Sequence, residues 1–296
     1  MPEFSERFFR SGTLRIHFRD WGDPQLPPVV IVHGLRDHSH SFDDLARGLL
    51  DRFHVLALDL RGHGDSETTP YYGFGHFVLD LHNLLRALRL ERPVLIGHSM
   101  GGEIVANYSG CFPDRPARLV IIEGLGPPPP TMDAEVQWTI DGFARIDRAL
   151  SGHPGLRDLE AAERRLRERN PRLAPAAAQE LALLGTRARE DGTLEWKFDA
   201  MLSTLAVGGP FNLEYVMALW RRITAPTLIV HGGESGEFWR TTPGAIYLEP
   251  DDLRRRLACF RDHRFVEIAG AGHMVHFDRP RQLITAIRDF LLDAAV

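Results

Sequence analysis

The stretch Val94-Leu-Ile-Gly-His-Ser-Met-Gly-Gly-Glu103 joins a short apolar run to a helical pattern through a turn that is rich in glycine. Within it, Gly97-His-Ser-Met-Gly101 matches the pattern G-x-S-x-G, which places a serine on a tight turn between a strand and a helix. Such a turn strains the serine backbone and exposes its hydroxyl, and the helix behind it points free N–H groups at developing negative charge. Ser99 is therefore the predicted nucleophile.

On both sides of this turn, short runs rich in Val, Ile and Leu alternate with amphipathic helical patterns. This alternation predicts β-α-β units, and hence an α/β fold with a mostly parallel sheet flanked by helices. Alternating apolar residues between Leu14 and Phe18 predict an antiparallel pair at one edge of the sheet. The predicted parallel strands are residues 29–33, 55–59, 94–97, 119–123, 227–231 and 264–268.

The alternation of predicted strands and helices ends after residue 123. The sequence Gly124-Leu-Gly-Pro-Pro-Pro-Pro130 cannot continue a helix or a central strand, because proline lacks the backbone donor that either would need. Residues 131–222 show helical patterns and one strand-like piece near residues 194–198. The mixed charges of residues 160–169 predict a solvated helical face.

The parallel pattern resumes at Ala225-Pro226, so the interruption reads as an insertion into one large domain. We predict an α/β core formed by residues 1–126 and 223–296. Residues 127–222 are the predicted helical cap, inserted before the late strands and lying over the carboxyl edge of the sheet.

Length and composition limit the function classes. The chain has 296 residues, of which 44% are hydrophobic and 25% charged, which is ordinary for a globular protein. Its net charge of −5 offers no basic face, so we predict no nucleic-acid partner. No apolar run approaches the ~20 residues of a membrane span, and residues 1–10 do not resemble a signal peptide, so we expect a cytoplasmic protein without a membrane partner.

A second motif follows the first predicted parallel strand. His33-Gly34 ends that strand, and a loop at this place can contribute a backbone N–H to an oxyanion hole together with the residue after the nucleophile. The predicted donors are the amides of Leu35 and Met100. The next turn, Asp59-Leu-Arg-Gly-His-Gly-Asp-Ser66, has the residues of a sharp hydrogen-bonded turn, and we predict a structural role for it.

The loop after residue 33 also carries ligand-type side chains, so a metal site has to be weighed. These side chains are His33, Asp37, His38 and His40. Their spacing does not match a known metal-binding pattern, and no second ligand cluster follows in the sequence. We therefore predict no metal and no other cofactor.

The general base is expected on a loop late in the chain. Ala269-Gly-Ala-Gly-His273 follows the last predicted strand, and its glycines leave room for a mobile imidazole. His273 is the predicted base. His276, three residues later, is expected to be structural or part of the pocket wall.

Together these motifs resemble the α/β-hydrolase family over nearly the whole chain outside the cap. Its serine hydrolase-like branch is the nearest resemblance, carried by His33-Gly-Leu-Arg-Asp-His-Ser-His-Ser-Phe42, Gly62-His-Gly-Asp-Ser66, Gly97-His-Ser-Met-Gly-Gly102 and Ile122-Glu-Gly-Leu-Gly-Pro127. The resemblance implies a triad in the order serine, acid, histidine, with no cofactor. It also implies a cap that shapes the substrate pocket.

The acid of the triad is where this sequence departs from the family pattern. Most members carry an aspartate shortly after the strand that follows the cap, but here that stretch reads His231-Gly-Gly-Glu-Ser-Gly-Glu237. Glu234 or Glu237 could reach the histidine from that loop. Glu123, at the end of the strand before the cap, is the alternative that we favour, because a catalytic carboxylate is expected at the carboxyl end of a strand in an open α/β sheet.

These residues predict a serine hydrolase that cleaves an ester-type acyl bond of a small, partly apolar molecule through an acyl-enzyme. Amide, thioester, lactone and carbon–carbon bonds remain alternatives, because the fold does not decide among them. A different class of function is a ligand receptor on the same scaffold with little or no turnover. Turnover of p-nitrophenyl esters separates the two classes.

Overall fold

The computed structural model describes residues 4–127, 131–152, 155–208, 211–240 and 249–293. Within these ranges, the main sheet has eight strands in the order β1-β2-β4-β3-β5-β6-β9-β10, and β7 and β8 form a separate hairpin. The strands are β1 (Phe4–Ser11), β2 (Leu14–Trp21), β3 (Pro28–Val32), β4 (His54–Leu58), β5 (Val94–His98), β6 (Arg118–Ile122), β7 (Thr186–Ala188), β8 (Leu194–Trp196), β9 (Thr227–Gly232) and β10 (His263–Ile268).

Helices connect the strands, and no helix in the described ranges is both long and apolar enough to cross a membrane. The α-helices are α1 (Asp43–Arg47), α2 (Phe74–Ala87), α3 (Met100–Cys111), α4 (Met132–Leu150), α5 (Leu159–Arg169), α6 (Pro175–Leu184), α7 (Leu213–Trp220), α8 (Gly236–Arg240), α9 (Pro250–Leu257), α10 (Val275–Asp278) and α11 (Pro280–Leu292). Short 3-10 helices span Ser39–Phe42 and Ala200–Val207.

The sheet is parallel except at its amino-terminal edge. β1 and β2 pair antiparallel, and β2 pairs antiparallel with β4. From β4 to β10 every neighbouring pair is parallel. The predicted fold class, the antiparallel edge and the six predicted parallel strands are confirmed, with strand ends shifted by one residue at most.

Apolar side chains cover both faces of the sheet, as expected of parallel strands buried on two sides. One face packs against helices α2, α3 and α7, whose contributions include Leu81, Ile104 and Trp220. The other face packs against α1 and α11, which contribute Leu45 and Ile287. The carboxyl ends of β3, β5, β6 and β9 thus meet at one edge, and the candidate site lies there.

The turn of residues 59–66 has the predicted structural role. The Asp59 carboxylate accepts hydrogen bonds from the backbone N–H groups of Ser39 at 2.7 Å and Asp65 at 3.0 Å, and lies 2.7 Å from Nδ1 of His17. Gly64 has a positive φ of 55°, and a Cβ there would lie 2.1 Å from an Asp59 carboxylate oxygen. The turn is therefore built around a buried carboxylate, and it anchors the loop that follows β3.

The segment predicted as the cap contains α4, α5, α6, the β7–β8 hairpin and α7, while residues 128–130, 153–154 and 209–210 lie outside the described residues. Part of it contacts a loop of the core, through the hydrogen bond from Tyr72 Oη to Asp199 at 2.6 Å. Helix α7 differs, because Trp220 is fully buried in the sheet core and donates to Asn107 of α3 at 3.2 Å. We propose that the separable part of the cap ends before α7.

This boundary predicts different outcomes for two deletions. Replacing residues 127–208 with a short Gly/Ser linker is expected to leave a soluble domain with a cooperative thermal transition. Replacing residues 127–222 also removes Trp220 and Met217, each fully buried, and truncating one such side chain typically costs about 3–5 kcal/mol. Soluble yield and differential scanning calorimetry measure the difference. Equal behaviour of the two deletions would contradict the boundary.

A buried carboxyl in α3 predicts a pH-dependent stability. Burial raises the pKa of Glu103 to about 8, only partly opposed by Arg256. The folded state therefore holds this proton more tightly than the unfolded chain, and stability falls as pH rises from about 4.5 to about 8. Glu103→Gln is expected to be more stable than the wild type at pH 8.5, by about 4–5 kcal/mol at most, and by less than about 1 kcal/mol at pH 5.

Thermal unfolding at the two pH values measures this effect. Glu168→Gln, on the exposed surface of α5, is the matched control and is expected to shift stability little at either pH. A Glu103→Gln protein that is no more stable than the wild type at pH 8.5 would refute the burial argument.

Candidate active site

Ser99 lies on the turn between β5 and α3, with φ 52° and ψ −122°. An L-residue in such a conformation costs of order 1–3 kcal/mol, and the strain persists only where the surroundings impose it. A Cβ on Gly97 would come within 2.2 Å of the Gly101 carbonyl oxygen, and one on Gly101 within 2.2 Å of the Val32 carbonyl oxygen. Glycine on both sides of Ser99 is therefore a steric requirement of the turn.

His273 lies in the loop between β10 and α10, and its side chain is buried. Its Nε2 atom is 3.0 Å from Oγ of Ser99, so the hydroxyl can donate its proton to the ring. Its Nδ1 atom is 3.1 Å from Oε2 of Glu123, so Nδ1–H can donate to that carboxylate. The structure brings together the three side chains that the sequence analysis named as nucleophile, base and acid.

Glu123 directly follows β6, and the neighbouring strand β9 holds it. Its backbone N–H donates to Val230 at 2.9 Å, and its Oε1 accepts from the Gly232 N–H at 2.6 Å. Burial by itself would raise the pKa of Glu123, but the hydrogen bond to His273 and the charge of nearby His231 bring that pKa below its usual range. The carboxylate is thus ionised and oriented toward the imidazole.

The other two candidate acids are placed differently. Glu234 is exposed at the start of the turn after β9, and no hydrogen bond joins it to His273 in the described part of the chain. Glu237 is exposed in α8 and pairs with Arg172 at 2.8 Å. The geometry therefore favours Glu123 over both alternatives.

Backbone strain marks this edge of the sheet. Among the described residues, the non-glycine residues with positive φ are Arg36, Arg89, Ser99 and Glu123. Three of the four follow the carboxyl ends of the adjacent strands β3, β5 and β6. Strained residues cluster at functional sites because the surrounding fold there over-determines the backbone.

The loop after β3 lies directly against the nucleophile. A Cβ on Gly34 would be 3.2 Å from the Cβ of Ser99, so only glycine allows this approach without displacement. The N–H groups of Leu35 and Met100 donate to no other group in the described ranges. Both amides are therefore available to an oxyanion beside Ser99, although the structure contains no ligand that would occupy that place.

Two buried histidines hold this loop, and the sequence analysis did not identify this role. Nε2 of His63 accepts from the Arg36 N–H at 3.0 Å, and Nε2 of His33 accepts from the Leu60 N–H at 3.0 Å. Burial and the neighbouring His33 lower the pKa of His63 to about 3, so its ring is neutral and can accept. The only signal in the sequence was that His33 and His63 each stand next to a glycine in a turn.

Aromatic side chains surround the catalytic imidazole on one side. The ring of Phe238 stacks on His273 with centroids 4.2 Å apart, and Trp239 meets it edge-on at 5.8 Å. Both residues come from α8. They shield the imidazole from solvent and provide an apolar wall beside Ser99.

Further histidines lie behind the catalytic one. Nε2 of His98 is 2.9 Å from the His273 carbonyl oxygen, and the ring of His276 packs against His98 at 4.5 Å. Burial and the adjacent His273 lower the pKa of His98 to about 4, and burial holds the pKa of His276 well below its usual range. Both rings are neutral, and His276 makes no contact with Ser99 that would give it a catalytic role.

A mostly parallel sheet that presents a strained serine at the end of a central strand, with a histidine and a carboxylate in reach, is the arrangement of α/β-fold serine hydrolases. The chain belongs to the alpha/beta hydrolase fold family, whose model matches residues 27–280. The resemblance predicted from the sequence motifs is confirmed.

The relatives include esterases and lipases. The chain is 28% identical over 275 residues to a sn-1-specific diacylglycerol lipase of Mus musculus, covering 91% of this chain and 82% of the relative. It is 28% identical over 276 residues to an esterase of Escherichia coli, covering 90% and 93%. A serine hydrolase-like protein of Danio rerio is 27% identical over 282 residues, covering 92% and 83%.

Among solved structures, the crystal structure of E-2-(acetamidomethylene)succinate hydrolase superposes with a TM-score of 0.79 at 26% identity, covering 97% of this chain and 99% of that one. These comparisons confirm the predicted enzyme class, and the chain is a hydrolase of the esterase and lipase type.

Proposed function

We propose that this hydrolase cleaves ester-type acyl bonds of small, partly apolar molecules by forming an acyl-enzyme on Ser99. The observation that carries the proposal is the continuous hydrogen-bonded chain from Ser99 Oγ through His273 to Glu123, with distances of 3.0 Å and 3.1 Å. The first link has the length that proton transfer from Ser99 to His273 requires, and the second has the length of a hydrogen bond that orients the imidazole.

In this mechanism the Ser99 hydroxyl attacks the acyl carbonyl while His273 accepts its proton at Nε2. The amides of Leu35 and Met100 stabilise the tetrahedral oxyanion. His273 then donates the proton to the leaving alcohol, and a water molecule activated by the same ring releases the acid and restores Ser99. Glu123 orients the imidazole and stabilises its charged form, and no step requires a cofactor.

The side chains around Ser99 support a substrate with an apolar portion. Leu35 is 46% exposed in the candidate oxyanion loop. Met100, Phe238 and Trp239 are each half-buried around Ser99 and His273. An apolar substrate group that covers these side chains would remove their surface from water, which favours binding.

Steady-state turnover tests the proposal. p-Nitrophenyl esters from acetate to octanoate, with a thioester and a lactone alongside, are expected to show turnover that is highest for one class of ester. Binding of these compounds without turnover would support the receptor alternative instead. Faster turnover of the thioester or the lactone would keep the mechanism and change the assigned bond.

A second candidate is hydrolysis of an ester or amide that carries a carboxylate, and Arg36 is the observation that favours it. Arg36 follows Leu35 in the candidate oxyanion loop, and its guanidinium lies 5.8 Å from the ring centre of Phe198 in the cap. Burial, together with the positive charges of Arg169 and Arg145, lowers the pKa of Arg36. Within the described ranges only positive charges act on Arg36, and no carboxylate pairs with it, so a substrate carboxylate could bind there.

Replacing Arg36 with methionine tests this second candidate. Arg36→Met is expected to lower kcat/KM for the mono-p-nitrophenyl ester of adipic acid by about 10- to 100-fold, the value of a charge-assisted hydrogen bond. Activity on p-nitrophenyl hexanoate, which has the same chain length and no carboxylate, is expected to change far less.

The control is Arg89→Met, which changes an exposed arginine that also has a positive φ, of 55°. It is expected to leave the rates for both esters unchanged. A wild-type enzyme that does not favour the adipate ester, or an Arg36→Met enzyme that loses both activities equally, would remove the second candidate.

A further inference from the structure

Three side chains of ligand type meet behind the catalytic serine, from segments far apart in the sequence. Asp37 lies in the loop after β3, His98 is the last residue of β5, and His276 is in α10. One ligand atom from each lies within 4.8 Å of the other two. Of the four residues in the loop after β3 that were weighed as metal ligands from the sequence, only Asp37 belongs to this group.

Four polar atoms of this cluster lack hydrogen-bond partners. Within the described residues, Asp37 Oδ2, His98 Nδ1 and both ring nitrogens of His276 are buried without a hydrogen bond. His98 is 2% exposed and His276 is 5% exposed. Buried polar atoms are almost always paired in folded proteins, so a group that binds all four would remove the cost of leaving them unpaired.

The hydrogen bond on the other side of His98 defines which atom of that ring can bind an ion. Nε2–H of His98 donates to the His273 carbonyl at 2.9 Å. A neutral imidazole carries one proton, so the buried Nδ1 of His98 has a free lone pair that can bind an ion. Histidines that ligate metals typically donate their other N–H to a backbone carbonyl in this way.

A second group of possible ligands provides the contrast. His17, Asp59 and Asp65 also come within 4.8 Å of one another. There, however, His17 Nδ1 is 2.7 Å from Asp59 and its Nε2 is 2.6 Å from Glu6, so both ring nitrogens are already satisfied. Of these two groups of possible ligands among the described residues, only that of Asp37, His98 and His276 has buried atoms left without partners.

We propose that Asp37, His98 and His276 bind one divalent transition-metal ion of the zinc type. Two imidazoles and one carboxylate suit zinc and its neighbours rather than magnesium or calcium. Because the three ligand atoms lie within 4.8 Å of one another, an ion placed between them would be within about 2.8 Å of each. Zinc–ligand distances are about 2.0–2.2 Å. Side-chain shifts of less than about 1 Å would therefore bring all three atoms to bonding distance.

The ion would link three segments that carry the chemistry. Asp37 belongs to the candidate oxyanion loop, His98 precedes the nucleophile, and His276 follows the base. A surface groove lined by residues that include Ser41, His276 and Phe277 provides a route from solvent. A bound ion would therefore stabilise the arrangement of the catalytic segments without contacting the substrate.

Metal titration of the full chain tests this proposal. Protein treated with EDTA and freed of chelator is titrated with Zn²⁺ by calorimetry, and with Co²⁺ by visible absorption. The expected result is one equivalent bound, a Tm increase of about 5 °C with excess Zn²⁺ and the intense absorption of low-coordinate Co²⁺. Mg²⁺ is expected to change nothing.

Two variants remove ligands with little change in packing. His276→Phe preserves the stacking on Phe42, whose ring lies 4.5 Å away at 21°. Asp37→Asn retains the oxygen that accepts from the His38 N–H at 2.9 Å. Each is expected to weaken Zn²⁺ binding by about 10²-fold or more, since loss of even an outer-shell partner costs 10- to 100-fold.

The matched control is His82→Phe. His82 also stacks on an aromatic ring, that of Phe112 at 5.0 Å and 20°, and it also has a buried unpartnered Nδ1, but it lies in α2 away from the cluster. This variant is expected to bind Zn²⁺ like the wild type. The proposal would be overturned if the wild type does not bind Zn²⁺. It would also be overturned if the wild type and all three variants bind Zn²⁺ with equal affinity. If His276→Phe does not fold, the comparison of Asp37→Asn with the wild type decides.

Discussion

Ser99→Ala is expected to lower ester hydrolysis by about 10³- to 10⁶-fold, because the variant has no nucleophile to form the acyl-enzyme. Residual activity would come from the oxyanion donors and from substrate binding. The fold is expected to persist, since alanine tolerates the turn about as well as serine and little packing is lost. Stopped-flow or steady-state assays with p-nitrophenyl esters measure the rate, and circular dichroism measures the fold.

Labelling gives an independent readout of the same residue. A fluorophosphonate probe is expected to modify the wild type at Ser99 and to leave Ser99→Ala unlabelled. Ser109→Ala is the matched control, because Ser109 is buried in α3 and its hydroxyl only donates to the Val105 carbonyl at 2.7 Å. A folded Ser99→Ala protein that retains most of the activity would disprove the proposed mechanism.

Glu123→Gln is expected to lower kcat by about 10²- to 10⁴-fold through loss of tautomer control. The amide oxygen of glutamine can still accept from the Gly232 N–H, which the wild-type carboxylate does at 2.6 Å. That orientation turns the NH₂ group toward Nδ1 of His273, so Nδ1 becomes an acceptor and Nε2 carries the proton. The ring can then no longer accept the proton of Ser99.

Glu234→Gln is the matched comparison, since it makes the same chemical change on the exposed loop after β9. It is expected to change kcat by less than about threefold, the effect of a distant surface charge. The opposite order of effects would place the acid after β9, as in most of the family, and would leave Glu123 with the structural role of closing the turn before Gly124.

Structural features that are set by residues close together in the chain could be predicted from the sequence. The strand runs, the strand-to-helix turn at Ser99 and the glycine-rich loop at His273 depend on side-chain size, hydrophobic period and backbone freedom within about ten residues. The same holds for the predicted helical face of Phe77, Leu81, Leu84, Leu85 and Leu88: the first four are buried in α2, and Leu88 is half-buried just after its end. Local sterics therefore determined where the nucleophile and the base lie in the fold.

The acid of the triad could be identified only once the order of the strands in the sheet was known. β6 and β9 are neighbours in the sheet, although the cap separates them in the chain, and this neighbourhood places Glu123 against Gly232 and His273. The sequence analysis named both Glu123 and Glu234, because both stand at the ends of strands. Only the distance between side chains that are 150 residues apart distinguishes them.

The sequence by itself determined the class of this protein: an α/β sheet, a serine on a strained turn, and a late histidine. It did so because glycine positions and the spacing of apolar residues set turns, strands and helices over short stretches of chain. Tertiary structure alone decided that Trp220 of α7 packs in the sheet core, that His33 and His63 hold the candidate oxyanion loop, and that Asp37 meets His98 and His276. These contacts join segments that are distant in the chain, and their positions follow from how the strands and helices pack, which no local pattern specifies.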